Sequence, residues 1–249
     1  FRFILGNLQD KFEPQDFKKI NIDNFSELEK YILGKISYLD VSVKENLKNY
    51  NYHKLYKELS QFCNLDLSSF YFDIRKDLLY CNELGSKKRK ECIVVLNIIL
   101  ECLLKWFAPI FVFTTEEIFS LLNKNENSVH ELAFPEIPKN WRDESLNNKW
   151  RDLYRIKQEV NIAIEEKRSS KEIGSSLEAD ILIHANEKDF NLLENLDLEE
   201  YFITSKVEKI KDANNKLRIV VKKASGTKCP RCWKILETKC SRCENALID

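Results

Sequence analysis

The stretch CPRCWKILETKCSRC, from Cys229 to Cys243, decides how the rest of the chain is read. Two Cys-x-x-Cys pairs, Cys229/Cys232 and Cys240/Cys243, place four thiols within fifteen residues, each pair spaced so that both sulfurs can turn toward one point. Zn²⁺ takes four tetrahedral ligands at about 2.3 Å from sulfur, and four cysteines with no open position make a closed structural site rather than a catalytic one. The pattern predicts a zinc knuckle or short ribbon over residues 225–249. Two disulfides would be expected to recruit the other cysteines, and a redox pair needs a βαβ context that the flanking sequence lacks. Only seven residues, Trp233 to Lys239, separate the pairs, so the loop between them is tight.

Working outward, 249 residues with 43% hydrophobic content can build two or three domains with real cores. Cys63, Cys81, Cys92 and Cys102 stand singly in apolar or helical surroundings and read as small buried hydrophobes, which fits a reducing compartment. The most apolar run, Cys92 to Phe113, is broken by Glu101, Lys105 and Pro109, and no signal peptide begins the chain, so no membrane span is expected and the location is expected to be cytoplasmic. The sequence contains no methionine and begins at Phe1 inside what reads as structured sequence; it is expected to be the C-terminal part of something longer. A formal net charge of zero hides an asymmetry. From Tyr201 onward nine Lys and three Arg face five acids, a surplus of seven positive charges that the first 200 residues offset. A basic C-terminal module on a neutral body fits RNA binding, and equally a solvated face.

The first 123 residues predict an antiparallel helical bundle. Leu28, Ile32, Ile36, Leu39, Val43 and Leu47 recur at three- and four-residue steps along one long helix, and Tyr52, Leu55, Tyr56, Leu59 and Phe62 continue the pattern. The aromatic segment Ser68 to Cys81 follows; its tyrosines can stack on bases, but helical spacing favours the core. Lys87, Lys88, Arg89 and Lys90 open a strongly apolar helix through Phe107 and are candidates for phosphate contact or a solvated helix start. Pro109 interrupts, and Thr114-x-x-Glu117 predicts the cap of a helix running toward Leu122. Residues 124–145 read as an extended linker, with His130 as a packing residue. Over 146–174 a second long helix carries Trp150, Leu153, Ile156, Val160 and Ile164 on one face, closed by Gly174. The period then changes. Ile181 and Ile183 alternate with polar residues, Phe190 to Leu196 reads as a short helix, and Tyr201–Ile210 and Leu217–Val221 as strands, giving a small α/β unit over 175–224 on which the cysteine module is expected to dock.

No catalytic constellation emerges. Gly-x-Ser-x-Gly, a phosphate loop and Gly-x-Gly-x-x-Gly are all absent, and His53, His130 and His184 lie far apart in sequence.

The succession YNYHKLYKELSQFCNLDLSSFYFDIRKDLLYC (50–81), WFAPIFVFTTEEI (106–118), VHELAFPEIP (129–138), KEIGSSLEAD (171–180), YFITSKVE (201–208) and KCPRCW (228–233) closely resembles the C-terminal third of bacterial-type isoleucyl-tRNA synthetases, over essentially the whole chain. The earlier blocks are shared in looser form with the valyl and leucyl relatives; the run into a four-cysteine tail is more specific. The resemblance implies a class I synthetase whose helical bundle grips the anticodon stem-loop of isoleucine tRNA, with a C-terminal zinc module aiding recognition, and a monomer. The ATP, Mg²⁺ and isoleucine site with its His-Ile-Gly-His and Lys-Met-Ser-Lys-Ser signatures, and the editing domain, would lie upstream; neither signature occurs here, so this region alone is expected to be inactive. Cys229, Cys232, Cys240 and Cys243 match the family's zinc ligands, while the loop between the pairs is shorter than the family's. Trp233, flanked by Arg231 and Lys234, either stacks on an anticodon-loop base or covers the metal site. Two other classes fit the residues: a free-standing zinc-ribbon RNA-binding accessory protein, and a helical protein-interaction scaffold.

Overall fold

A computed structural model describes residues 1–8, 16–122, 128–212 and 216–247. The chain is mainly helical with two small sheets, and it forms two compact units: Phe1–Asp73 with Gly85–Glu144, and Ile74–Leu84 with residues 145 onward. Residues 74–84 fall within the expected 1–123 bundle yet group with the second unit. Side-chain pairs explain why: Arg75 bonds Glu200 and Asp77 bonds Arg242.

In the first unit, α1 (Arg2–Leu8), α2 (Glu27–Lys48), α3 (Tyr52–Gln61), α5 (Lys87–Phe107) and α6 (Val112–Leu122) supply the helices. The expected stripe of α2 buries Leu28, Ile32, Ile36 and Val43. Tyr50 takes a left-handed φ of 52° to turn the chain, and the Asn51 side chain accepts the Lys54 amide to start α3. Leu55, Leu59 and Phe62 go inward while Tyr52 and Tyr56 face solvent. The helix then widens to i→i+5 turns from Phe62 to Phe72, which no periodicity in the sequence signalled. That segment buries Phe70 and Tyr71, and the Tyr71 hydroxyl lies 3.4 Å from both Glu29 and the Cys92 sulfur, so Tyr71 is a core residue. From Cys92 to Phe107 α5 is buried nearly all round, with Trp106 fully enclosed.

Two expectations for this unit are corrected. Helix α6 starts ahead of the Thr114-x-x-Glu117 pattern, and the Thr115 hydroxyl instead donates back to the Phe111 carbonyl at 2.9 Å. Residues 124–127 of the expected linker lie outside the described residues; 128–142 are anchored at points, with Val129 and Trp141 buried, the Ser37 hydroxyl donating to the Pro138 carbonyl, and Arg142 donating to Ser37 Oγ and O. Gly34 permits that approach, since a Cβ there would stand 3.1 Å from the Trp141 carbonyl oxygen. His130 itself is exposed, with Nε2 3.2 Å from the Val112 oxygen; its neighbour Val129 does the packing.

The second unit holds α4 (Asp73–Cys81, from Ile74 on) and α7 (Glu144–Ser169), which buries all five residues of the expected stripe. Strand β1 (Ala179–Ala185) is central, parallel to β2 (Lys206–Lys211) and antiparallel to β3 (Arg218–Lys223), with Ile181 opposite both Val207 and Val221. Between β1 and β2 lie α8 (Glu187–Leu192) and α9 (Leu198–Phe202), capped by Asn186 and Asp197. Tyr201 and Phe202, expected at the start of a strand, are therefore helical and buried. The Asp197 side chain accepts the Glu200 amide, and Ile203 at φ 60° ends the helix before β2 begins. Among the described residues, no helix is long and apolar enough to cross a membrane.

Candidate metal and nucleic-acid site

The cysteine module is built on a two-strand ribbon, β4 (Thr227–Lys228) against β5 (Ile235–Leu236), and a short helix, α10 (Ser241–Asn245). Gly226 enters it at φ +128°, where a Cβ would lie 2.3 Å from the Leu236 carbonyl oxygen, so only glycine fits. The first pair sits in the ribbon's turn, closed by the Cys229 amide to the Lys234 oxygen at 2.9 Å and the Trp233 amide to the Cys229 oxygen at 3.0 Å. The second pair brackets the start of α10, where the Cys243 amide donates to the Cys240 oxygen.

These two turns bring Cys229, Cys232, Cys240 and Cys243 together, with all four sulfurs within 4.8 Å of one another. A tetrahedron with metal–sulfur bonds of about 2.3 Å has edges of about 3.8 Å. The Cys232 and Cys240 sulfurs, 3.9 Å apart, already stand at that separation. Burial opposes ionisation of Cys229, yet the amides of Cys232 and Arg231 and the neighbouring thiols donate to its sulfur and bring its pKa down to about 7. Burial pushes Cys243 up, with Cys240 and Cys232 adding to the effect. Four converging, largely buried sulfurs with amide donors aimed at one of them fit a single cation that would stabilise the thiolates together.

The sequence placed this module on the α/β unit, and part of the docking is there: the Ile235 amide donates to Ser205 Oγ at 2.7 Å, and Lys228 pairs with Glu178. The rest lies on α4, which sequence reasoning missed. Arg242 forks onto the two carboxylate oxygens of Asp77, and Arg231 donates to the carbonyls of Cys81 and Tyr80 at the helix C-terminus. The Cys81 thiol, 3.7 Å from the Arg231 oxygen, packs with Cys229, Cys232 and Cys243, and burial followed by the Asp77 carboxylate pushes its pKa up to about 11. Arg231 and Arg242, each standing inside a cysteine pair, are the local residues that make these contacts, and nothing beside them in sequence points to α4.

Of the other sequence candidates, Trp233 is 60% exposed and takes a left-handed φ of 65°, Lys234 is half-buried, and Arg231 is committed to the α4 carbonyls. Lys87, Lys88 and Arg89 belong to the first unit, in the first turn of α5. Lys87 pairs there with Glu91 at 3.6 Å, whose other oxygen accepts both the amide and hydroxyl of Ser26. Cations at a helix N-terminus oppose the helix dipole, at a cost of about 0.3–1 kcal/mol each.

Residues 29–183 match the anticodon-binding domain of tRNA ligase. The chain belongs to that family. It is also similar to the isoleucine–tRNA ligase of Pelagibacter ubique (strain HTCC1062), 50% identical over 242 residues, which is 97% of this chain and 27% of that protein. The isoleucine–tRNA ligase of Agrobacterium fabrum is 36% identical across 94% of the chain and 25% of its own length, and that of Natranaerobius thermophilus 33% identical across 99% and 29%. The anticodon-binding chain thus spans about a quarter of the length of the curated relatives it matches, and its similarity to them runs on past the domain match into the cysteine tail.

Proposed function

We propose that this chain is the tRNA-binding C-terminal region of an isoleucine–tRNA ligase, the enzyme that attaches isoleucine to its tRNA at the expense of ATP. The observation that carries the reading is the similarity to isoleucine–tRNA ligases across 97% of the chain, together with the anticodon-binding domain over residues 29–183. The helices of the first unit grip the anticodon stem-loop of isoleucine tRNA, with Lys87, Lys88 and Arg89 on phosphates; the dipole-opposing charge at the start of α5 favours an anionic partner there. The four cysteines hold one structural Zn²⁺, which four thiolates select. Amino-acid activation, with ATP and Mg²⁺, takes place in a preceding catalytic domain of the same polypeptide, and the protein works as a cytoplasmic monomer.

Trp233 is the side chain that stacks on a splayed anticodon-loop base. Its exposure, at a left-handed backbone position, supports this role over that of a cover for the metal. Trp233→Ala is expected to weaken binding of the isolated anticodon stem-loop by about 1–3 kcal/mol. Trp233→Gly is expected to weaken it as much while leaving the module folded, because glycine accepts a positive φ without strain. Titration of the stem-loop over a salt series reads both; unchanged affinity in the two variants would remove Trp233 from the RNA interface.

A further inference from the structure

We infer that Arg242, held by Asp77 of α4, is the outer-sphere donor of the four-cysteine centre: its guanidinium hydrogen-bonds the Cys232 sulfur and helps set how tightly the metal is kept. This rests on the reading of the four cysteines as a metal site. Four thiolates around one divalent cation carry two surplus negative charges, and a largely buried site needs donors or cations close by to hold them. Lys228, Lys239 and Arg231 are engaged elsewhere: Lys228 pairs with Glu178, Lys239 with Glu244, and Arg231 donates to the α4 carbonyls. Arg242 is placed differently. It stands between Cys240 and Cys243, and the Cys232 sulfur accepts from it as the Asp77 carboxylate does. Burial opposes its charge, yet Asp77 and, after it, Cys232 hold its pKa well above the ordinary range.

The donor is aimed from α4. Arg242 Nη2 lies 2.9 Å from Asp77 Oδ1, while Nη1 bonds Asp77 Oδ2 and reaches Asn82 Oδ1 at 3.4 Å. Helix α4 is anchored in turn, buried through Ile74, Leu78 and Leu79 and tied by Arg75 to Glu200. On the same side the Cys81 thiol packs against Cys229, Cys232 and Cys243, so α4 gives the centre an apolar wall as well as a fixed donor. Metal retention is then set partly by Asp77, 165 residues before the arginine it holds.

Competition with a chromophoric zinc chelator, run on the whole chain at constant ionic strength, tests this. Arg242→Met is expected to weaken zinc binding about 10–100-fold. Arg242→Lys keeps the charge without the fork and is expected to fall between that variant and the parent. Lys239→Met removes an equal charge from a side chain that is 90% exposed, and is expected to leave the affinity close to the parent's. In an Asp77→Asn background, Arg242→Met is expected to cost several-fold less, since the donor is no longer aimed. Cobalt substitution reads the sulfur itself: the thiolate-to-cobalt charge-transfer band is expected to shift in Arg242→Met and to stay in place in Lys239→Met. Equal losses of affinity in Arg242→Met and Lys239→Met, or an unchanged affinity and band in Arg242→Met, would overturn the inference while the parent's zinc binding kept the metal reading intact. A parent chain that takes up no zinc would overturn both.

Discussion

Stripping zinc from the metal-loaded protein is expected to unfold residues 225–247 and leave the helices of the first unit intact. The module has little else to hold it. Its ribbon is two residues per strand, α10 is five residues long, and its buried residues beyond the cysteines are few. Structural zinc contributes on the order of 10 kcal/mol to such small modules, far more than these contacts supply. Amide hydrogen exchange measures the result. Protection of the Trp233, Cys243 and Glu244 amides, all hydrogen-bonded within the module, is expected to vanish with chelator, whereas protection along α2 and α5 persists. The C-terminal turn of α4 is expected to loosen too, because Arg231 caps its carbonyls only while the first cysteine pair keeps its turn. Unchanged protection in the tail after metal loss would show that the four sulfurs converge for some reason other than a metal.

Arg75→Ala is expected to destabilise the second unit by about 3–5 kcal/mol, because it removes one half of a buried ion pair. Arg75 and Glu200 are joined at 2.6 Å, with side chains only 5% and 12% exposed. This pair ties α4 to α9, whose Tyr201 ring in turn packs edge-on against Trp150 of α7 at 5.6 Å. Replacing both residues, as Arg75→Met with Glu200→Met, is expected to recover much of the loss, since an apolar pair leaves no uncompensated charge behind. Urea unfolding with exchange read at β1 amides separates the variants. A loss below about 1 kcal/mol in the single variant would mean that the pair behaves as a hydrated surface contact.

The long amphipathic helices were legible because burial imposes the 3.6-residue period directly: every stripe residue named for α7 is buried, and the stripe of α2 runs along its inner face. The convergence of the four cysteines was legible because the members of each pair lie three residues apart. Less was visible where local chemistry competed with periodicity. Tyr201, Phe202 and Ile203 make a short aromatic and β-branched run of the kind that suits a strand, yet the Asp197 cap turns Tyr201 and Phe202 into a helix. The wide turns from Phe62 to Phe72 leave no compositional trace, since the same apolar residues suit an ordinary helix. The docking of the cysteine module on α4 was invisible for a different reason. Arg231 recognises backbone carbonyls, which every residue possesses, and the Arg242–Asp77 pair joins positions 165 residues apart.

Binding of this chain, loaded with zinc, to isoleucine tRNA and to the same tRNA carrying a valine anticodon measures the central claim most directly. Phosphate contacts contribute equally to both RNAs and weaken together as salt rises, so any difference that persists at high salt comes from the anticodon bases. The account predicts tighter binding of the isoleucine anticodon at every salt concentration, with the difference reduced by Trp233→Ala. Equal affinity for the two RNAs would contradict it, leaving a general RNA grip whose specificity lies elsewhere in the polypeptide.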